Sequence, residues 1–376
     1  MKRIRDYSIS RVLEEVTKKK IEYMLEEDLV RIDRLVIKNI DEGKISKFKD
    51  LEDLKVFEKL GENLEIEFEG FDFTDVTLKF FRSVRKIALR RCRIDNFKIQ
   101  VAGQYEGYEL ILEKVLVDSG ILVNEQAPQT RELVVIGKPT VELTREYTVE
   151  EIAEEMKKRE PAYSIVPDAD KANLLKKHGF LSIYPQRINI TGIDKLQLLK
   201  KISLTYMEIN TINFSEIKKY SKNIRILDEI RCIRCKFNEA PILYKQPVKR
   251  LVIDECIMER KSLLPNFVKV NAIEVINTKG MEIPKLNEPK LLKGIKLVNS
   301  EANLKGITKL KKLESVIVLE QELPEVKFAK KLKKLKYLVV SEGKLQNKDV
   351  ISKLKKLEFV EVKEDDKTAK YNELFV

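Results

Sequence analysis

The chain of 376 residues has one histidine, four cysteines, 13 glycines and no long apolar run, and each scarcity excludes a class of protein. With His178 as the only histidine, no HExxH metal site or histidine zinc pair can form, and a Ser-His-Asp triad would depend on that residue. No run of about 18 apolar residues is present and no apolar leader follows the basic start, so neither a membrane helix nor a signal peptide is expected. We therefore expect an intracellular, cytoplasmic protein with no membrane association.

The composition indicates a folded chain with an unusually large charged surface. Hydrophobic residues make up 43% of the sequence, but charged residues make up 36%. So many charges must coat a surface, which favours an elongated body over a single compact core. The net charge of +12 is concentrated in residues 240–376. That concentration keeps nucleic acid and acidic proteins among the expected partners.

A short apolar pattern recurs along the chain and is clearest between Val248 and Cys256, where apolar residues precede a cysteine at strand-like spacing. Its second apolar position recurs later in the chain at Ile202, Ile230, Leu251, Ile273, Ile295, Val316, Leu338 and Val360. In the first part the matching positions are Leu35, Leu64, Ile87, Leu110 and Leu133. Such a period predicts stacked units, each of which lays down one short parallel strand and buries its apolar side against its neighbours.

The sharpest units run from Gly306 to Val318, from Ala329 to Val340 and from Ile351 to Val362. They resemble the 22-residue leucine-rich repeats of phosphatase-regulatory and internalin-type proteins. The resemblance implies an α/β solenoid, a leucine-rich-repeat horseshoe with its parallel β-sheet on the concave side, and a role in recognition. The family's inward asparagine is replaced here by other residues, so we expect its hydrogen-bonded ladder to be incomplete; the replacements are Cys92, Cys235, Cys256, Thr278, Ser300, Gln321, Gly343 and Asp365.

Four regions are predicted. Residues 1–30 form an N-terminal helical cap, with a helix over 10–27 that Ser8 or Ser10 caps and whose apolar face carries Val12, Leu13, Val16, Met24 and Leu25. Residues 31–145 form an irregular repeat array, residues 146–180 a helical insertion or junction, and residues 181–376 a regular array with a C-terminal cap. One continuous sheet and two arrays hinged at the insertion are equally compatible with this division.

Two short motifs resemble chemical sites. Cys232 and Cys235 form a CxxC, which is typical of a redox pair or half of a zinc site. The repeat register instead places both cysteines in the core, as it does Cys92 and Cys256, and no second CxxC completes four zinc ligands. The segment from Gly137 to Thr140 lacks the upstream glycine of a phosphate-binding loop. We therefore predict no catalytic residue, metal, cofactor or small-molecule substrate.

Lysines recur in register in the last three units. They form what we call the lysine ridge, which consists of Lys309, Lys311, Lys312, Lys331, Lys333, Lys334, Lys353, Lys355 and Lys356. A solvated face that improves solubility is one interpretation. The other is a ladder of point charges that binds phosphates or an acidic protein.

The outward strand positions mix apolar residues with both signs of charge, which suits a protein-binding face. The candidate contact residues are Lys296, Ile317, Tyr337, Val339, Phe359 and Glu361, with the two aromatic rings as possible anchors. The sequence thus favours a non-enzymatic scaffold that recognises a protein through its concave face. The alternative is an RNA- or ribosome-associated factor that docks through the lysine ridge.

Overall fold

The computed structural model describes residues 4–41, 44–102, 106–118, 120–137, 140–144, 179–184, 188–207, 226–237, 248–258, 270–278, 291–300, 307–321, 323, 326–342, 344–345, 351, 354 and 357–362. By their contacts the residues divide into two units. One comprises residues 1–137 and 187–376, and the other comprises residues 138–186.

The first unit is built on a single sheet of 13 strands in which all neighbours are parallel. In chain order the strands are β1 Arg34–Lys38, β2 Leu64–Glu69, β3 Val84–Arg90, β4 Tyr108–Glu113, β5 Thr130–Ile136, β6 Lys201–Thr205, β7 Leu227–Ile233, β8 Val248–Asp254, β9 Val270–Ile276, β10 Gly294–Val298, β11 Ser315–Leu319, β12 Tyr337–Ser341 and β13 Glu358–Val362. Their order in the sheet is their order in the sequence, as repeats that stack one on the next require.

The strand register confirms most of the predicted repeat positions. Ile230 pairs with Leu251, and Leu251 pairs with Ile273, so these core-facing side chains stack across neighbouring strands. Two positions were wrong. Leu35 pairs with Ile66, two residues beyond the predicted Leu64. At the other end of the sheet, Leu338 pairs with Phe359 instead of Val360.

The sheet continues without a break across the interval that the sequence left open. In the register of β5 and β6, Leu133 pairs with Ile202, so the 69 positions between them amount to one step of the sheet. The hinged arrangement of two arrays is therefore wrong.

After most strands of the sheet, the next residue adopts the left-handed conformation, and most of these residues are not glycine. Arg91 has φ 50°, Glu255 has φ 47° and Asn299 has φ 45°. Their N–H groups extend the strand ladder, as where Asn299 donates to the carbonyl of Leu319 at 3.0 Å. The left-handed residue redirects the chain at the end of the strand, where the return path begins.

The return path consists of tight turns and short strands. Within the described residues the 3-10 helices are Ile21–Tyr23, Leu51–Lys59, Ile193–Lys195, Ile307–Lys309 and Lys327–Lys331, and a short α-helix spans Val123–Gln126. Short parallel pairs join Ser46–Lys47 with Phe71–Asp72, Thr77–Phe80 with Lys98–Val101, Ile121–Leu122 with Ile190–Thr191, and Lys236–Phe237 with Ile257–Met258. One apolar core lies between the sheet and this return path.

A helical cap covers the start of the sheet, although its bounds differ from those predicted. The first helix spans Tyr7–Thr17 and is capped by Asp6, whose carboxylate accepts from the N–H groups of Ser8 and Ile9. It ends at Thr17 because Lys18, its C-cap, adopts the left-handed conformation with φ 57°. Ile9 and Leu13, one turn apart, are its buried residues of the core.

The predicted apolar face of this cap is corrected in part. Val16 and Leu25 are exposed, Val12 is half-buried, and Met24 is buried beyond the end of the first helix. A second helix spans Glu26–Val30. The carboxylate of the buried Asp53 accepts from the N–H groups of Arg5 at 2.8 Å and Asp6 at 2.6 Å, which ties the cap to the first repeat.

In the second unit the structure describes two strands, Thr140–Thr144 and Gly179–Tyr184, which pair antiparallel. The helices predicted between them, and His178, lie outside the described residues. The stacking of parallel strands over one core confirms the leucine-rich-repeat solenoid that the sequence predicted.

Candidate functional site

The outward face of the sheet, which points away from the main core, carries ordered rows of charge over β1 to β8. Arg90 on β3 lies between two glutamates of the neighbouring strands, 2.7 Å from Glu67 and in close contact with Glu113. Arg250 on β8 lies 3.3 Å from Glu229 and also pairs with Glu274. The parallel register places these side chains opposite each other, so opposite charges neutralise one another along the sheet.

The middle of this face is less charged. We call Val134, Ile136, Ser203, Thr205 and Ile233 the central patch; they lie on β5, β6 and β7, and each is half-buried. Ile136 pairs with Thr205, and Thr205 pairs with Ile233, so the patch forms a continuous strip.

Charged side chains border the central patch. Glu132, Lys201 and Glu229 form one row beside the patch, in which Lys201 Nζ lies 3.6 Å from the Glu132 carboxylate. On β7, Arg231 Nε lies 3.3 Å from the Glu229 carboxylate. A small, partly apolar centre with a charged rim is the usual anatomy of a protein-binding surface.

Farther along the sheet the outward face is enclosed. Ile317 and Val339, both predicted as contact residues, have 0% of their surface exposed, and they form a second apolar cluster with Ala272 and Leu319. Tyr337 is half-buried. Ile317 and Val339 thus offer no surface in this structure, and their role in binding stays a prediction.

The predicted contact residue Lys296 is buried in an ion pair. Its Nζ atom lies 2.6 Å from the carboxylate of Glu274, and only 4% and 3% of the two residues are exposed. Burial acts to raise the pKa of Glu274, but hydrogen bonds from Lys296 and Arg250 outweigh it, and the pKa lies below its ordinary value. Glu274 therefore stays ionised inside the fold.

The register of β13 moves the last two predicted contact residues. Because Phe359 pairs with Leu338, its ring packs against the main core. Glu361 pairs with Val340, a core-facing position, and is half-buried. A shift of one residue turns every side chain of a strand to the opposite face, so Phe359 and Glu361 do not take the outward positions predicted for them.

Six residues of the lysine ridge are described, and all are exposed: Lys309, Lys311, Lys312, Lys331, Lys333 and Lys334. They lie in the 3-10 helices and turns that lead into β11 and β12. Lys353, Lys355 and Lys356 lie outside the described residues.

Small polar side chains after the strands replace the expected asparagine ladder. Cys256 Sγ donates to the carbonyl of Cys232 at 3.3 Å, and the single Ser300 Oγ–H is shared between the carbonyls of Val275 at 3.0 Å and Val298 at 2.6 Å. Cys256 N–H in turn donates to the hydroxyl of Thr278 at 3.1 Å. The ladder exists, built from thiols and hydroxyls.

The four cysteines are free and buried where the repeat register placed them. Burial raises the pKa of Cys92 to about 12 and raises those of Cys235 and Cys256 well above the ordinary thiol value. Within the described ranges, no three His, Cys, Asp or Glu residues are grouped to hold a metal ion. The helices found in those ranges are also too short or too polar to span a bilayer.

Comparisons with known proteins give no family assignment. No protein-family model matches the chain, and no curated protein matches it. Among solved structures, an internalin (inlF) from Listeria monocytogenes is 13% identical with a TM-score of 0.32, and the match covers 94% of each chain. An internalin C2 from the same species is 12% identical with a TM-score of 0.26, covering 96% of this chain and 94% of the other. Scores this low add nothing to the fold assignment, which is based on the strand register.

Proposed function

We propose that this chain is a non-enzymatic scaffold that binds a protein partner through the central patch on the outward face of its sheet. The observation that carries the proposal is the half-buried strip across β5, β6 and β7, bordered by the paired charges of Glu132 with Lys201 and of Glu229 with Arg231. The strip supplies apolar area for the centre of an interface, and the rim supplies orientation.

The rigidity of the patch supports this function. Its residues lie on neighbouring strands in fixed register, and the core side chains Leu133 and Ile202 beneath them are fully or almost fully buried. A surface that is ordered before binding loses less conformational entropy when a partner docks. Partners recognised here should therefore be folded proteins with a complementary, mixed-charge surface.

Site-specific crosslinking tests the proposal. A photoreactive residue at Ser203, in the middle of the patch, should form a discrete crosslinked product in the cells that express the protein. The same residue at Lys98, an exposed position on the return path, is the matched control and should not. Once the partner is identified and purified, Ser203→Arg should weaken binding about tenfold or more by forcing a long cation into the strip. Lys98→Arg should leave the Kd unchanged.

Equal crosslinking at the two positions would contradict the proposed surface. So would an unchanged Kd for Ser203→Arg in a variant whose circular dichroism matches the parent.

A further inference from the structure

The turns that lead into β11 and β12 carry a concentrated positive charge that the described residues leave almost uncompensated. None of the six described lysines of the lysine ridge is ion-paired within the part of the chain that the structure describes. Among the described residues of these turns the one carboxylate is that of Glu314, which lies 2.9 Å from the Nζ atom of a different lysine, Lys336.

The two edges of the sheet differ in sign here. Lysines precede β11 and β12, whereas the exposed Glu320 and Glu342 follow these strands. The pKa of the Glu314 carboxyl is held below its ordinary value, first by the hydrogen bond from Lys336 and further by the charges of Lys293 and Lys334. The edge of the sheet at which β11 and β12 begin is thus a region of positive potential.

The type of positively charged side chain limits which ligands this region can bind. No arginine follows Arg260 in the sequence, so every positive side chain in this region is a lysine. Lysine is a point charge without the planar fork of arginine, and it is depleted in protein-protein interfaces. In the described residues from 307 to 345, no large apolar side chain is exposed to anchor a protein. The region thus offers positive charge without an apolar anchor. Phosphate groups are ligands that positive charge alone can bind.

The small size of the lysine cluster limits the choice of ligand further. Neighbouring strands are about 4.8 Å apart, so the lysines of two successive repeats form a compact patch. A flexible single strand can bring several consecutive phosphates to such a patch. A stiff duplex holds its phosphates along a rod instead.

We infer that the six described lysines of the lysine ridge form a binding site for single-stranded nucleic acid, which they contact through the phosphate groups without reading the base sequence. This site is separate from the central patch and does not depend on the protein-binding function. If each described lysine of the ridge meets one phosphate, log Kd should change with log salt with a slope of about 4. Affinity should then fall about 300-fold between about 50 and 200 mM salt.

The test measures the anisotropy of a labelled oligouridylate against salt, using the full chain. The variant K311Q/K312Q/K333Q/K334Q removes four of the six charges and should reduce the slope to about 1.4, which corresponds to about a sevenfold loss of affinity over the same salt range. The matched control K18Q/K47Q/K79Q/K98Q removes four exposed lysines elsewhere and should keep the parent slope. All substituted positions are exposed, so both variants should retain the parent circular dichroism.

Four results would overturn the inference. An unchanged slope in the ridge variant, or an equal reduction in the control, would assign binding to the overall charge of the chain. Tighter binding of a polyglutamate peptide of the same charge would assign the ridge to an acidic protein. Tighter binding of duplex DNA would contradict the preference for a single strand. An oligodeoxythymidylate should bind as the oligouridylate does, because both present the same phosphates.

Discussion

The buried ion pair of Lys296 with Glu274 gives a direct test of whether the outward face is enclosed over β9 to β12. Lys296→Met keeps the length of the side chain but removes its charge, so that Glu274 keeps only Arg250 as a partner. Removal of one member of a buried pair costs about 3–5 kcal/mol in the free energy of unfolding. We expect the lower end, about 3 kcal/mol, because Arg250 still pairs with the carboxylate.

Urea unfolding followed by far-ultraviolet circular dichroism measures this cost. The double variant Glu274→Leu/Lys296→Met removes both charges, and it should regain most of the lost stability because no buried charge is left uncompensated. Lys201→Met is the matched control. Lys201 is half-exposed in its ion pair with Glu132, so that substitution should cost less than about 1 kcal/mol.

The ion pair of Lys296 with Glu274 also predicts how the stability of the fold changes with pH. The folded pKa of Glu274 is lowered, so its ionisation stabilises the fold fully above the unfolded value of about 4.3. That contribution is lost as the pH falls through the lowered folded pKa. The difference in stability between the parent and Lys296→Met should therefore shrink at acidic pH. If Lys296→Met costs no more than Lys201→Met at neutral pH, the pair is solvated and the face is not enclosed.

Three further substitutions test the fold. Ser300→Ala should lose about 1–3 kcal/mol in urea unfolding, because two strand carbonyls lose a buried hydroxyl donor; no loss would refute the ladder. A Cβ atom at Gly61 would lie 2.5 and 2.6 Å from two backbone carbonyl oxygens, so Gly61→Ala should lower the Tm, and an unchanged Tm would show that the contact is absent. Asp53→Ala should speed amide exchange in the first helix without affecting the central strands, whereas uniform exchange would show that Asp53 does not hold the cap.

The repeat was predictable because its physical signal is long and redundant. Core side chains such as Leu251 and Ile273 recur with nearly constant spacing, and one strand per repeat is enough to place them in register. Both wrong positions, Leu64 and Val360, lie where two alternative registers give the same apolar pattern. Leu64, Ile66 and Phe68 alternate on one buried face, so a shift of two residues leaves the apolar pattern unchanged. Phe359 and Val360 are neighbouring apolar residues, so a shift of one residue also leaves an apolar residue at the core position.

The left-handed turns left only a partial signal in the sequence, at Gly70, Asn277 and Asn299. Glycine and asparagine mark such positions because they tolerate positive φ, but here many are arginine or glutamate, as at Arg91, Arg234 and Glu255. The strand ladder supplies the energy instead, since the N–H group of Arg234 donates to the carbonyl of Asp254 at 2.8 Å. Tertiary hydrogen bonds thus select a conformation that local propensity disfavours.

The sequence predicted a binding surface on the outward face of the sheet, but it did not predict which residues of that face are exposed. Alternation along a strand shows which side chains point outward, and Ile317 and Ser203 both satisfy it. Exposure depends also on what lies against the face, and the repeat does not encode this. Ile317 is therefore enclosed, whereas Ser203 is half-buried at the centre of the sheet. The central patch lies on β5 to β7, where the spacing of the repeats is least regular.

The cross-strand pairing also separates the two proposed binding surfaces by their response to salt. Around the central patch Glu132 and Glu229 pair with Lys201 and Arg231, two charges of each sign, so a partner there meets little net charge. At the lysine ridge the lysines stand together, and their counterions are released when phosphates bind. Protein binding at the central patch should therefore persist at salt concentrations that abolish nucleic-acid binding at the ridge. If both activities vanished together as salt was raised, a single electrostatic surface would account for them, and the assignment of two independent sites would fail.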